Sequence, residues 1–297
     1  MAPRKSAVTV RRKGSAATEL DCATAFQKVA LGCVAAVKSH RVGACAGDAE
    51  AVHQVRVAIT RLRAVVAFFA SVVVDAEWLR LKAEITWLNG SLGTARDSDV
   101  VMEYARGERY REWVQQATDE RLDRQRMQDR RRMVRSLRSA RFEKFVAALE
   151  RWVRQGAWLT RWQRRKKPVS LQCHCEAELD RWRRRLVRKG RHLETLEPSR
   201  RHRLRIKAKR FRYMLEALRE IAPLRARLEL GHLHGPAKRL QGTLGDLRDL
   251  ERFADVAVRP GQAGAISRQG RHPPGYRRRK KKLLDDAIEA YRRFARL

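Results

Sequence analysis

Long apolar runs and paired cysteines are both scarce in this sequence. No uninterrupted apolar segment approaches the ~18 residues that a transmembrane helix needs. The five cysteines form an odd and irregularly spaced set, which fits reduced thiols better than a disulfide framework. Met1–Ser15 is basic and has no apolar core of the kind found in signal peptides. We therefore expect a cytoplasmic protein that does not insert into a membrane.

Acidic residues are also few relative to basic ones. The 297-residue chain contains 68 Lys and Arg against 33 Asp and Glu, which gives a formal net charge of +35. Mutual repulsion at this charge destabilises the free protein, and a polyanionic partner would relieve it. Nucleic acid, polyphosphate and an anionic membrane surface all remain candidates on charge alone.

The alternation of apolar and polar residues that is typical of β-strands is missing as well. Apolar residues recur at helical spacing instead, so we predict an all-α fold. Residues 1–17 are basic and unpatterned, which predicts a flexible tail. Arg259–Gly275 is rich in proline and glycine, which predicts a loop before a C-terminal helix.

One stretch, His202–Leu218, separates into two faces when it is drawn as a helix at about 100° per residue. One face carries a row of hydrogen-bond donors about 15 Å long, formed by His202, Arg205, Lys209 and Arg212. About a third of a turn away lies an apolar row that predicts a buried face, formed by Leu204, Ala208, Phe211, Leu215 and Leu218. A donor row beside a buried face suits an elongated anion.

The same design occurs once earlier, in His53–Phe69. The donor row there consists of His53, Arg56 and Arg63, and Thr60 stands where the later copy has Lys209. The apolar positions match one for one, at Val55, Ile59, Leu62, Val66 and Phe69. A single basic row would be typical of a solvated surface, but its repetition at the same angles favours anion binding.

A second pair of matching segments follows the two donor rows. Leu88–Asp97 and Leu240–Asp249 share their Leu, Gly, Leu, Gly, Arg and Asp positions, at nearly the same offset. Two matched pairs in the same order predict a tandem duplication. We place the first half at residues 18–168 and the second at 169–297, the latter including the predicted loop and the C-terminal helix.

The repeated glycine in this second motif predicts a helix end. We expect a helix from Glu77 to Leu92 that ends at Gly93, and a new short helix that begins at Asp97. The later copy predicts the same break between Leu244 and Asp249. We interpret the two aspartates as N-caps or as ion-pair partners of arginine, and not as metal ligands.

The four segments His53–Arg63, Ser91–Val100, His202–Leu218 and Thr243–Leu250 closely resemble the CHAD family, the conserved-histidine α-helical domain. The resemblance extends over Thr18–Val258, with the motifs in the family's order. It implies two four-helix bundles related by a pseudo-twofold axis, with a basic central cavity between them. It also implies inorganic polyphosphate as the ligand and, in bacteria, association with polyphosphate granules. Thr60 departs from the family, which usually has a basic residue there.

The residues predict non-catalytic binding of a long, phosphate-rich polyanion, and the resemblance supplies polyphosphate as its identity. An arginine fork matches two phosphate oxygens, whereas lysine acts as a point charge. The contacts we predict on the donor rows are His53, Arg56, Arg63, His202, Arg205, Lys209 and Arg212. Those we predict on neighbouring helices are Lys82, Arg96, Lys238, Arg239 and Arg248.

The two histidines have an equally good interpretation as structural residues at the edge of a core. Each stands one turn before an arginine, and a protonated ring would donate more strongly to phosphate. If His53 and His202 have that role, affinity should rise as the pH falls through the histidine range.

Two other functions fit the sequence less well. We keep general nucleic-acid binding as the alternative. Against it, the donor rows have no interleaved aromatic residues, and the sequence has no known DNA-reading motif. Against a phosphoryl-transfer enzyme, the sequence has no phosphate-binding loop and no ExExK signature of the triphosphate tunnel domain. Cys173–Cys175 has no second pair of ligands at a workable spacing, so we predict no metal and no cofactor. The sequence makes no prediction of oligomeric state.

Overall fold

The computed structural model describes residues 20–111, 114, 116–221, 224–257 and 272–297. That part of the chain is helical and contains no strand, which confirms the all-α prediction. The helices are α1 (Cys22–Ser39), α2 (Arg41–Ala46), α3 (Ala49–Phe68), α4 (Ala70–Val73), α5 (Ala76–Arg106), α6 (Gln116–Arg138), α7 (Ala140–Gln155), α8 (Ala157–Gln163), α9 (Leu171–Gly190), α10 (Pro198–Ile221), α11 (Leu224–Ala257) and α12 (Tyr276–Ala295). The predicted tail at 1–17 and most of the predicted loop at 259–275 lie outside the described residues.

Side-chain caps begin several of these helices. Asp21, Asp48 and Asp75 each accept a hydrogen bond from a backbone N–H in the first turn of α1, α3 and α5. Ser139 and Ser170 do the same for α7 and α9. Each cap accepts a hydrogen bond from a backbone N–H that has no partner within the helix. The negative charge of the three aspartates also interacts favourably with the positive end of the helix dipole.

One hydrophobic core contains residues from both predicted halves of the chain. From the predicted first half, the Phe26 ring lies edge-on to Trp158, with the ring centres 5.1 Å apart. From the predicted second half, His174 stacks on Phe69 and places its Nε2 atom 3.2 Å from the carbonyl oxygen of Phe68. The two predicted halves therefore pack on each other. Their limits, and a pseudo-twofold pair of four-helix bundles, stay predictions.

Helix α5 continues through Gly93, and α11 continues through both Pro236 and Gly245. The predicted breaks at Gly93 and between Leu244 and Asp249 are therefore both wrong. Leu88, Leu92 and Ala95 are all buried on either side of this glycine. Burying a leucine side chain contributes about 1.5–3 kcal/mol, which exceeds the ~1 kcal/mol that a glycine costs inside a helix.

The matched segments meet in one region of the fold. Helices α3 and α10, which carry the two donor rows, pack directly on each other, and α5 packs on α11. An ion pair between Arg61 and Glu220 joins the first pair of helices. Another joins Arg252 to Asp97 across the second pair, with 2.7 Å between Nη1 and Oδ2. Among the described helices, none has the length and apolar character to cross a membrane.

Candidate functional site

Cationic side chains from α3, α5, α10 and α11 converge where the two donor rows meet. Lys209 lies close enough to Arg56, Arg205 and Arg212 for all three to lower its pKa. Arg248 has the same effect on His202, and Arg96 on Arg56. We call this group the α3–α10 cluster, and it consists of His53, Arg56, Arg96, His202, Arg205, Lys209, Arg212 and Arg248. Most of the predicted contacts are thus brought together.

Lys209 is the most perturbed cation of the α3–α10 cluster. Burial, followed by repulsion from the neighbouring arginines, lowers its pKa to about 8. Its Nζ atom lies 5.5 Å from the centre of the Tyr213 ring, and the Arg212 guanidinium lies 4.5 Å from the same centre. The ring face attracts both cations. The fold thus holds several positive charges close together. Their repulsion destabilises the folded protein, and a bound anion would offset that destabilisation.

Several nitrogen atoms of the cluster are buried without a hydrogen-bond partner among the described residues. They are His202 Nδ1, Arg205 Nε and Arg212 Nε. The nearest carboxylate oxygen to Arg212 Nε, from Glu216, is 3.6 Å away, which is too long for a hydrogen bond. A buried donor that lacks a partner costs about 1–3 kcal/mol. A ligand rich in oxygen acceptors would satisfy these atoms once it displaces the side chains that cover them.

The equivalent arginines of the two copies are held differently. Arg56 donates from Nη1 to the carbonyl oxygens of Leu92 and Gly93, at 2.9 and 3.0 Å. Arg205 instead lies against Gly245, where a Cβ atom would stand 3.3 Å from its Nε. In the second copy, the glycine that we predicted to end a helix thus leaves room for an arginine of the donor row, whereas open space surrounds the Cβ position at Gly93 in the first.

Carboxylates also reach the cluster from α5 and α11. Asp97 lies inside α5 and pairs with Arg252, so it is an ion-pair partner and not an N-cap. Burial raises the pKa of Asp249, while nearby Arg205 lowers it and Asp246 raises it further. Since the cations outnumber these carboxylates, the α3–α10 cluster remains positively charged.

The CHAD domain family matches residues 28–257, which include both donor rows and both glycine motifs. The chain belongs to the CHAD domain family. A crystal structure of the CHAD domain from the plant Ricinus communis is similar, with a TM-score of 0.72 and 22% identity over 92% of this chain and 94% of that chain. PptA from Streptomyces chartreusis has a TM-score of 0.64 and 15% identity, over 93% and 98%. At these identities the likeness shows the fold alone. No curated protein matches the chain by sequence.

The pKa values of the two donor-row histidines of this CHAD domain, His53 and His202, are both lowered, which favours the neutral ring in the free protein. Burial, together with repulsion from Arg248 and Arg205, lowers the pKa of His202 to about 4. His53 is more exposed, and its pKa is also lowered, by partial burial and by Arg96 and Lys209. Any gain in affinity from histidine protonation is therefore expected at a more acidic pH than the unperturbed histidine range.

Four of the predicted contacts lie outside the α3–α10 cluster. Arg63 lies beside Arg210, whose pKa it lowers. Lys82 is exposed on α5, and Lys238 and Arg239 are exposed on α11. These three lysine and arginine side chains form no ion pair within the described ranges. Their contact with a ligand stays a prediction.

Two residues of the CHAD domain site escaped the sequence analysis because the repeat holds only one copy of each. Arg252, which pairs with Asp97, corresponds to Val100 in the first copy. Tyr213, which faces Lys209 and Arg212, corresponds to Ala64. Because neither residue type recurs at the matching position of the first copy, comparison of the two copies could not identify Arg252 or Tyr213. Across the described ranges, no group of three or more His, Cys, Asp or Glu is placed to hold a metal.

Proposed function

We propose that this CHAD domain binds inorganic polyphosphate, without catalysis, at the α3–α10 cluster. The observation that carries the proposal is the set of buried, unpartnered nitrogen atoms at His202, Arg205 and Arg212, within a group of mutually repelling cations. Polyphosphate presents charged oxygens in a regular array and no bases. Release of counterions would add to the driving force, as it does for nucleic acids.

Binding without catalysis is favoured by the state of the nearby carboxylates. Magnesium, which phosphoryl transfer uses, is held by carboxylates and phosphate oxygens. Asp97 is already paired with Arg252, and Asp249 lies partly buried near Arg205. These arginines compete with magnesium for the two carboxylates. Given the ligand and the net charge of +35, we also propose that the protein associates with polyphosphate granules in the cytoplasm.

The proposal is tested by neutralising the cluster against a charge-matched control. The cluster variant carries Arg205→Gln, Lys209→Gln and Arg248→Gln. The control carries Arg131→Gln, Arg132→Gln and Arg135→Gln, all exposed on α6, which packs on α2, α5 and α7. By calorimetry we expect the cluster variant to lose at least about tenfold in polyphosphate affinity, because it loses charge-assisted hydrogen bonds worth about 1.5–3 kcal/mol each. The control should lose less than about threefold.

Two outcomes would contradict the proposal. Equal losses in the two variants, with helix content unchanged by circular dichroism, would mean that net charge alone determines affinity. Equal competition by transfer RNA or duplex DNA, matched with polyphosphate in phosphate concentration and salt, would favour general nucleic-acid binding instead.

A further inference from the structure

A second group of cations lies where α3, α9 and α10 meet, on another face of α10. Lys207 is exposed, but partial desolvation, together with Arg210, Arg185 and Lys189, lowers its pKa. Burial and Arg63 lower the pKa of Arg210. We call this group the α9–α10 cluster, and it consists of Arg63, Arg185, Lys189, Lys207 and Arg210.

A cavity of about 150 Å³ lies between α3, α9 and α10 at this cluster. Its apolar lining comes from Ala67, Trp182 and Leu186, and its charged lining from Arg181, Arg185, Lys207 and Arg210. Leu186 is buried, and the Trp182 ring is fixed edge-on to Phe68, with 5.7 Å between the ring centres. Of the charged lining residues, Arg181, Arg185 and Lys207 are exposed, so a ligand can reach them from solvent.

The α9–α10 cluster has no counter-charge of its own. Within the described residues, none of its five cations forms an ion pair with a carboxylate. Other arginines on α9 do, since Arg181 pairs with Glu178 and Arg184 pairs with Asp180. Acidic residues of α9 therefore pair with Arg181 at the cavity and with Arg184, but not with the five cations of the α9–α10 cluster. Like charges gathered around an apolar surface favour an anion from outside the chain.

Arg63 connects the two clusters because it belongs to the α3 donor row. It lies two helical turns after Arg56, or about 10 Å along the axis of α3, and it reaches the side of Arg210. We propose that the α9–α10 cluster is a second binding segment for the same polyanion. A long polyphosphate chain leaves the α3–α10 cluster along α3, passes Thr60 and Arg63, and continues across the cavity. This inference rests on the proposed function and gives the protein a preference for long chains.

The test compares a long polyphosphate with the shortest polyphosphate that binds the wild-type protein measurably. The variant carries Arg185→Gln, Lys189→Gln and Lys207→Gln, three exposed residues whose replacement leaves the core intact. The α6 variant described above is the charge-matched control. We expect affinity for the long chain to fall at least about fivefold and affinity for the short chain to change less than about twofold. The control should show neither effect.

Equal losses of affinity for long and short chains, or no loss for either, would overturn the proposal of a second binding segment. The α3–α10 variant separates this failure from failure of the proposed function. If that variant loses affinity for both chain lengths while the α9–α10 variant behaves as the control does, the proposed function stands and only the second segment is wrong. If the α3–α10 variant keeps its affinity for both, the proposed function itself is wrong.

Discussion

Lys209 is the residue through which the α3–α10 cluster responds to pH near neutrality. Its pKa falls from the ordinary lysine value of 10.5 to about 8 in the folded protein. Because the unfolded chain binds this proton more tightly, the charge on Lys209 destabilises the fold below pH 8, and the destabilisation is removed as the pH rises from about 8 to about 10.5. A bound anion favours the charged form, so binding and protonation of Lys209 support each other.

We expect polyphosphate affinity to fall as the pH rises through about 8, since Lys209 loses its proton there. The Lys209→Met variant should bind more weakly at neutral pH and should lose little further affinity across the same range. Calorimetric titrations at constant ionic strength would measure both slopes. The free variant should unfold at no lower temperature than the wild-type protein, because a buried charge is removed. Parallel pH profiles for the two proteins would mean that Lys209 does not hold the ligand.

At the scale of the element, α11 shows what the repeated glycine motif does. Gly242 and Gly245 lie one turn apart in this helix, but their surroundings differ. Open space surrounds the position of a Cβ atom at Gly242, whereas Arg205 Nε lies 3.3 Å from that position at Gly245. Only the second glycine therefore controls where an arginine of the donor row lies.

Alanine substitutions at these two glycines should have different effects. Gly242→Ala should raise the free energy of unfolding by about 0.5–1 kcal/mol, the usual gain in a helix interior, and leave binding unchanged. Gly245→Ala should displace Arg205 and weaken polyphosphate binding by about three- to tenfold. Urea unfolding and calorimetry would measure the two quantities. Full affinity in Gly245→Ala would show that the position of Arg205 is not set by this glycine.

Helix faces were predictable from the sequence because burial follows the period of the helix. All five apolar positions predicted for each donor row are buried. In the first copy they are Val55, Ile59, Leu62 and Val66 on α3 and Phe69 at its C-cap, and in the second they are Leu204, Ala208, Phe211, Leu215 and Leu218 on α10. The break at Gly93 was predicted wrongly because local propensity carries no information about the packing on either side of a glycine.

At the scale of the whole molecule, the resemblance to the CHAD family implied that basic residues of the two halves would face each other, but not where the far ends of the donor rows would lie. Arg56 and Arg205 meet where α3 packs on α10, as matched positions would suggest. The path of α3 beyond that point places Arg63 beside Arg210 instead. The ion pair of Asp97 with Arg252 joins residues that the repeat does not relate. Such contacts depend on tertiary packing, which a single sequence does not show.

The net charge of +35 makes the whole protein attractive to any polyanion, so affinity alone does not locate a site. The most direct test of the central claim is a crystal structure of the protein with polyphosphate bound. We predict phosphoryl oxygens within about 3.2 Å of Arg205 Nε and His202 Nδ1, with the chain passing Lys209. Phosphates bound only to outer basic surfaces, with these nitrogen atoms still unpartnered, would contradict the account.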